Sequence, residues 1–364
     1  MPLGAEKVAL LGAAGGVEGN YFGDGSDGAV TTSGDVTYTV ANKSGSYDGD
    51  MVVKNYSSLV VSSGDTITTD QPCRGMLIYV KGDCTITGTM HMNGKGGCSD
   101  PTASGGGDSS AVNASGIRMP MFTSGGSATL SAADFAGSGN ASVAAVANQP
   151  EIAGDGTIFV ASRDGAAGGN GVSISGWGSA GGGGGSNGTT GGATLSSGGG
   201  GGGGGHGGGY SGTANAGNGS KGGCFSGGSG GGGAAEDNCN SSGNNATDYG
   251  CAPGSGGACG GSMGASSGDG NGTGGLIWII AKGDVTITGN LSAKGENGAN
   301  SGGNYCGTGA GSAGVIIFVL NGGSYTANGT ISLAGGIGGN CGSNNNGRGG
   351  TGGTGGFHQA TVDT

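Results

Sequence analysis

Residues 276–289 read Leu276-Ile277-Trp278-Ile279-Ile280-Ala281-Lys282-Gly283-Asp284-Val285-Thr286-Ile287-Thr288-Gly289. Almost residue for residue they repeat Leu77-Ile78-Tyr79-Val80-Lys81-Gly82-Asp83-Cys84-Thr85-Ile86-Thr87-Gly88. Each copy is a continuous apolar run, a Gly-Asp turn and a second, alternating run, which predicts two short strands joined at a corner. Leu59-Val60-Val61-Ser62-Ser63-Gly64-Asp65-Thr66-Ile67-Thr68 reads as an earlier copy, with Gly64-Asp65 aligned on Gly82-Asp83. A weaker copy runs from Val315-Ile316-Ile317-Phe318-Val319-Leu320 into Thr330-Ile331-Ser332-Leu333, and residues 157–160 look like a truncated one. Thr37-Tyr38-Thr39-Val40 and Met51-Val52-Val53 also read as strands. A period of about 20 residues with β-branched strands predicts an all-β chain with little or no α-helix. The rungs would be those of a β-solenoid, or of a β-sandwich made from duplicated hairpins.

Glycine is the second feature: 102 of 364 residues. Collagen is excluded, because the glycines keep no three-residue period and there are only six prolines. Residues 165–275 hold 49 glycines in 111 positions, including the runs Gly181–Gly185 and Gly198–Gly205. Two readings stand for this stretch. It is a flexible linker, or it is a bundle of extended polyglycine-II helices whose backbones pair with one another because no side chains intervene. A linker of that length rarely interrupts a repeat whose halves must pack, so the polyglycine-II bundle is the expectation. Four regions follow: residues 1–50, an attachment segment with the first strands; 51–164, a β-repeat region; 165–275, the glycine-rich region; and 276–364, a second β-repeat region with glycine-rich tips.

Twelve basic against 23 acidic residues give a net charge of −11. No Lys/Arg cluster exists to neutralise phosphates, so nucleic acid is not expected as a partner. No apolar run approaches the ~18 residues of a spanning helix, so membrane insertion is not expected. The opening residues 1–11 lack a basic region and a long apolar core, which predicts no secretory signal. Nine cysteines point the other way, towards an oxidising location. Assembly in a cytoplasm followed by release through lysis reconciles the two.

Catalytic motifs dissolve into composition. Gly-x-Ser-x-Gly occurs around Ser186, Ser229, Ser262 and Ser266, about the number that glycine density alone produces, and without the strand-to-helix context it requires. No phosphate-binding loop motif is present. His91, His206 and His358 have no partner nearby in sequence, and Asp24, Asp27, Asp48 and Asp50 read as turn residues rather than a calcium loop. No enzyme activity, cofactor or metal is expected. Cys224, Cys239, Cys251 and Cys259 are the tightest cysteine cluster. They read either as disulfides that pin loops of the glycine-rich part or as buried reduced thiols. Trp177, Tyr210, Phe225, Tyr249 and Tyr305 are isolated aromatics among the glycines. They read as host-contact rings able to stack on a sugar or an apolar patch, or as covers for the ends of the glycine layer.

The repeated LIWIIAKGDVTITGNLSAKGENG and the glycine runs resemble the glycine-rich structural proteins of tailed bacteriophages, including tail-fibre and tip-adhesin proteins with polyglycine-II layers. The resemblance spans about residues 56–360, and the opening GAEKVALLGAAGG is similar to the start of marine phage virion proteins. It implies a non-enzymatic virion component that contacts a host surface glycan or outer-membrane protein. Residues 1–50 would join it to other virion proteins, as a homo-oligomer if the fibre is multimeric. The alternatives are a capsid decoration or fibre-forming protein without a receptor role, an ice-binding protein, and a secreted polysaccharide-active protein. Springtail antifreeze proteins share polyglycine-II bundles but keep a stricter Gly-x-x rhythm and lack apolar rungs. A polysaccharide-active enzyme would need paired carboxylates on one groove, whereas the acidic residues here sit mostly in Gly-Asp turns.

Overall fold

In the computed structural model the described residues are 22–46, 48–96, 258–259, 262–263, 273–297, 316–338, 340–341, 344–348 and 351–361. Among them every regular element is a strand, and none is a helix. In chain order the strands are β1 (Ala29–Thr31), β2 (Val36–Tyr38), β3 (Val52–Tyr56), β4 (Ser58–Val61), β5 (Thr66–Thr69), β6 (Met76–Val80), β7 (Cys84–Ile86) and β8 (Thr89–His91). Then come β9 (Ala258–Cys259), β10 (Ser262–Met263), β11 (Ile277–Ala281), β12 (Val285–Ile287), β13 (Asn290–Ser292), β14 (Ile316–Asn321), β15 (Tyr325–Ala327) and β16 (Thr330–Ser332). The last are β17 (Asn340–Cys341), β18 (Asn344–Arg348) and β19 (Gly356–Thr361).

Fifteen of these strands form three five-stranded sheets: sheet I, β1-β4-β7-β12-β15; sheet II, β2-β5-β8-β13-β16; and sheet III, β3-β6-β11-β14-β19. All pairings within the three sheets are parallel. Successive strands visit sheets I, II and III in rotation, so each strand pairs with its counterpart one circuit away and never with its chain neighbour. The hairpin sandwich is thereby corrected. A hairpin needs antiparallel neighbours, whereas β6 pairs with β3 and β11, and β7 with β4 and β12.

The two strong sequence copies are stacked neighbours. Met76 faces Ile277, Cys84 faces Val285 and Met90 faces Leu291, all at the offset of 201 that also separates Asp83 from Asp284. The next circuit is offset by 40, Ile277 facing Ile317 and Val285 facing Tyr325. The step from Gly64 to Gly82, by contrast, is not a structural period. Gly64-Asp65 lies between β4 and β5, at the corner from sheet I to sheet II, whereas Gly82-Asp83 lies between β6 and β7, at the corner from III to I. Both corners are made with the same turn chemistry, so the alignment matched different corners of adjacent circuits. The true partners in that circuit are more widely spaced, Val52 with Met76 and Leu59 with Cys84.

Alternation sends one side chain in two inward. Leu59, Val61, Cys84, Ile86, Val285 and Ile287 from sheet I meet Ile67, Met90 and Leu291 from sheet II and Ile78, Val80, Ile277 and Ile279 from sheet III in one buried cluster. Each such aliphatic side chain contributes roughly 1.5–3 kcal/mol of burial. Tyr38 and Tyr56 enter the same core with their hydroxyls 2.8 Å apart, and burial raises both phenol pKa values.

The corners between I and II and between III and I are tight and glycine-dependent. A Cβ on Gly289 would collide with the carbonyl oxygens of Gly88 and Thr87, and one on Gly329 with the carbonyl oxygen of Gly289. At the other tight corner the aspartates form a ladder. Asp83 Oδ1 accepts from the Asp284 amide at 2.9 Å, and Asp284 Oδ1 accepts from the Ser324 amide at 2.8 Å. The bonds from Ser324 hold the Asp284 carboxyl below its ordinary value.

Both kinds of tight corner can be probed by substitution. Gly289→Val should lower stability by about 3 kcal/mol or more through overpacking against backbone that has nowhere to go, read by urea or thermal unfolding. The depressed Asp284 carboxyl contributes stability that is present above its ordinary pKa of 3.8 and lost as pH falls through the lower folded value. The acid limb of a stability-against-pH curve should therefore be shallower in Asp284→Asn.

Candidate functional site

The third corner, from sheet II to sheet III, is built differently. The other two are crossed by short links, for example residues 87–88, 288–289 and 328–329 between I and II, and 81–83, 282–284 and 322–324 between III and I. Links from II to III are residues 39–51, 70–75, 92–276, 293–315 and 333–355. The long and glycine-rich segments thus leave and return at a single corner. The short antiparallel pairs β9–β10 and β17–β18 lie within two of those links.

The corner is pinned where it starts. Arg74, 7% exposed, places Nη2 2.6 Å from Asp48 Oδ2 and Nε 3.2 Å from Asp48 Oδ1, and its Nη1 is 3.6 Å from Asp50. Burial pushes the Asp48 carboxyl up, and the Arg74 guanidinium opposes that push. Gln71 Nε2 donates to the Asp48 carbonyl, and the Arg74 amide donates to the Gly49 carbonyl. Lys43 pairs with Asp70, whose carboxyl also accepts from the Val40 amide. These contacts tie residues 39–51 to residues 70–75.

Further along, the roots of the glycine tracts lie backbone against backbone. The Gly94 amide donates to the Lys294 carbonyl at 3.0 Å, Gly295 to Ala334 at 3.1 Å, and Gly352 to Gly336 at 3.0 Å. A Cβ on Gly335 would collide with Gly352, and one on Gly336 with the Glu296 backbone. Two asparagines reinforce the layer: Asn93 Oδ1 accepts from Ser292 Oγ and the Lys294 amide, and Asn297 Oδ1 accepts from the Ile337 amide. The largest excursion begins and ends at one place, because the Gly96 amide donates to the Thr273 carbonyl at 2.8 Å.

The sequence-expected site residues fall mostly beyond this frame. Trp177, Tyr210, Phe225, Tyr249, Tyr305, Cys224, Cys239 and Cys251 lie outside the described residues, as does the bulk of the expected polyglycine-II region. Cys259 is in β9. Cys73 and Cys84 are buried free thiols, pushed by burial to about 11 and about 12. Asp24 accepts from the Ser26 amide and Asp27 from the Asn55 amide, so these two aspartates and the Asp48–Asp50 pair serve separate turns. His91 is half-buried on the outer face of sheet II, 3.4 Å from Thr68 Oγ1, and burial lowers its pKa. Among the described residues no three His, Cys, Asp or Glu side chains converge as a metal site.

Sequence reasoning missed the Arg74–Asp48–Asp50 cluster and the asparagine contacts, because their partners are distant in the chain. The column Gly94, Gly295 and Gly335 carried a signal: it recurs at the same offsets, 201 and then 40, as the strands. Asp48→Asn should cost about 3 kcal/mol by removing the hydrogen-bonded carboxylate of a buried guanidinium and leaving it only the longer Asp50 contact, measured by chemical unfolding. The double variant Asp48→Leu/Arg74→Met should recover most of that loss.

No family model, curated protein or solved structure matches the chain.

Proposed function

We propose that the chain is a non-enzymatic bacteriophage virion protein, a tail fibre or adhesin that displays glycine-rich segments towards a host surface. In this reading the three sheets are the faces of a parallel β-solenoid, and the glycine tracts continue from the II–III corner as a polyglycine-II layer. The observation that carries the reading is the single corner of exit. A scaffold that sends its long segments out on one side gathers them into one surface while two smooth corners keep the stack rigid. The glycine roots, already paired backbone to backbone, support the layer. Trp177, Tyr210, Phe225, Tyr249 and Tyr305 then supply contact rings to a host glycan or outer-membrane protein. Residues 1–50 join the chain to other virion proteins, their strands β1 and β2 being edge strands at one end of the stack. The protein would be assembled in the host cytoplasm and carried outside on the particle. Neither a cofactor nor a nucleic acid enters this role.

The adjacency of Gly96 and Thr273 makes the test clean. Replacing residues 97–272 by a short loop should preserve the strand circular dichroism and the cooperative unfolding of the frame, and should greatly weaken binding to host cells, since it removes Trp177, Tyr210, Phe225 and Tyr249 and leaves only Tyr305 of the contact rings. Failure of the intact chain to bind host cells would overturn the adhesin reading in favour of a decoration or fibre-forming role, and full binding by the excised protein would overturn the assignment of the contact to the glycine-rich region. Release of sugar from host polysaccharide by the intact chain would overturn the non-enzymatic one.

A further inference from the structure

One column of the core changes character at the two ends of the stack. In sheet III it reads, in register, Lys54, Ile78, Ile279, Val319 and Gln359. Its three middle members are aliphatic and its two end members are polar. Lys54 lies on the inward face, because Val52 and Tyr56, two residues to either side in β3, both belong to the core cluster. Its Nζ stands 5.4 Å from the centroid of the Tyr38 ring, another member of that cluster. At the far end Phe357 packs against the core, so Gln359, two residues on in β19 and half-buried, shares that face.

Three other inward columns are apolar from end to end. They run from Val30 to Tyr325 in sheet I, from Val36 to Ile331 in sheet II and from Val52 to Phe357 in sheet III. Of their end members, Val30, Val36, Tyr325, Ile331 and Phe357 are only partly buried. Among the described residues no strand lies beyond β1, β2 and β3 at one end, or beyond β15, β16 and β19 at the other. Each end therefore combines open strand edges with apolar side chains, which invites another chain to add its strands.

A second copy stacked head to tail would set Val30 on Tyr325, Val36 on Ile331 and Val52 on Phe357, apolar on apolar. The fourth column opposes it. The Lys54 ammonium would be shut between Ile78 of its own chain and Gln359 of the other copy, which carries no charge to pair with it. An ammonium buried without a carboxylate is costly. In the single chain Lys54 avoids that cost, since it is half-buried and its ammonium stands over the Tyr38 ring while reaching water.

We propose that Lys54 is a stop residue, whose charge at the end of a core column prevents copies of this chain from stacking end to end. An inward-pointing charge at an edge is an established way to keep a sheet from growing. The stop closes one route to a fibre, axial addition of copies through their strand edges, and it holds whatever the glycine-rich segments bind.

Small-angle X-ray scattering and sedimentation of the full chain test it. In Lys54→Ile/Gln359→Val the column is aliphatic throughout, and rods should form as concentration rises. Each added copy should lengthen them by about 24 Å, five strand spacings of about 4.8 Å. The wild type and Lys54→Arg, which keeps the charge, should show no axial growth over a hundredfold range of concentration. Axial rods of the wild type, or of Lys54→Arg to the extent seen in the aliphatic variant, would overturn the stop. Lys54→Met, which keeps the length of the lysine stem without its charge, guards against misfolding of the double variant. A Lys54→Met chain with wild-type circular dichroism and unfolding that forms no rods would overturn the proposal as well.

Discussion

The structure depends on parallel strands remaining in register across tight corners, where glycines such as Gly289 and Gly329 stand at places from which a Cβ would strike the neighbouring turn. Each circuit buries an apolar residue directly above its counterpart, as with Ile78 and Ile279 or Ile86 and Ile287. Adjacent parallel strands stand about 4.8 Å apart, and the turns that connect them must stack at that spacing too. A Cβ on Gly283 would meet the Gly82 and Asp83 backbone, and one on Gly323 the Gly283 backbone. Glycine at these columns is therefore what allows the core to close, and the aspartate ladder beside them satisfies amides that the strands leave free.

Links are short at two corners, whereas at the third the same close glycine packing at Gly335 and Gly336 stands beside long links, which separates the tasks of the molecule. In sheets I and II buried residues alternate with half-buried or exposed ones, strands β6 and β11 of sheet III are buried throughout, and the II–III corner takes the long segments. The buried Arg74–Asp48 pair stands at the start of that corner. A buried pair of this kind is a weak source of net stability but a strong penalty against misplacement, since either partner alone is costly to bury. It holds residues 39–51 in place beside the first exits of the chain.

An excursion as long as residues 92–276 is thermodynamically tolerable because closure entropy grows only with the logarithm of loop length. Compared with the link of residues 70–75, it adds about 3 kcal/mol of closure entropy, against the burial of a complete further circuit of Ile277, Ile279, Val285, Ile287 and Leu291. The kinetic consequence is larger. Strands as distant in the chain as β6 and β11 must meet before the stack can grow, and such non-local pairing is intrinsically slow.

The sequence by itself determined the strand content and the character of each face. Leu77 to Val80 and Ile277 to Ile280 are continuously apolar and lie in strands buried on both sides, whereas Cys84-Thr85-Ile86-Thr87 alternates and lies in one buried on a single side. It also marked the corners, since Gly-Asp pairs recur at fixed places. Only the tertiary structure decided which strand pairs with which. Aligning Gly64-Asp65 on Gly82-Asp83 matched corners of different kinds, because one circuit contains more than one Gly-Asp turn and local chemistry cannot tell them apart. The exit corner and the Arg74–Asp48–Asp50 cluster were likewise invisible, for they arise from contacts between circuits. Local pattern sets which way a side chain faces; the stacking of distant copies sets what it faces.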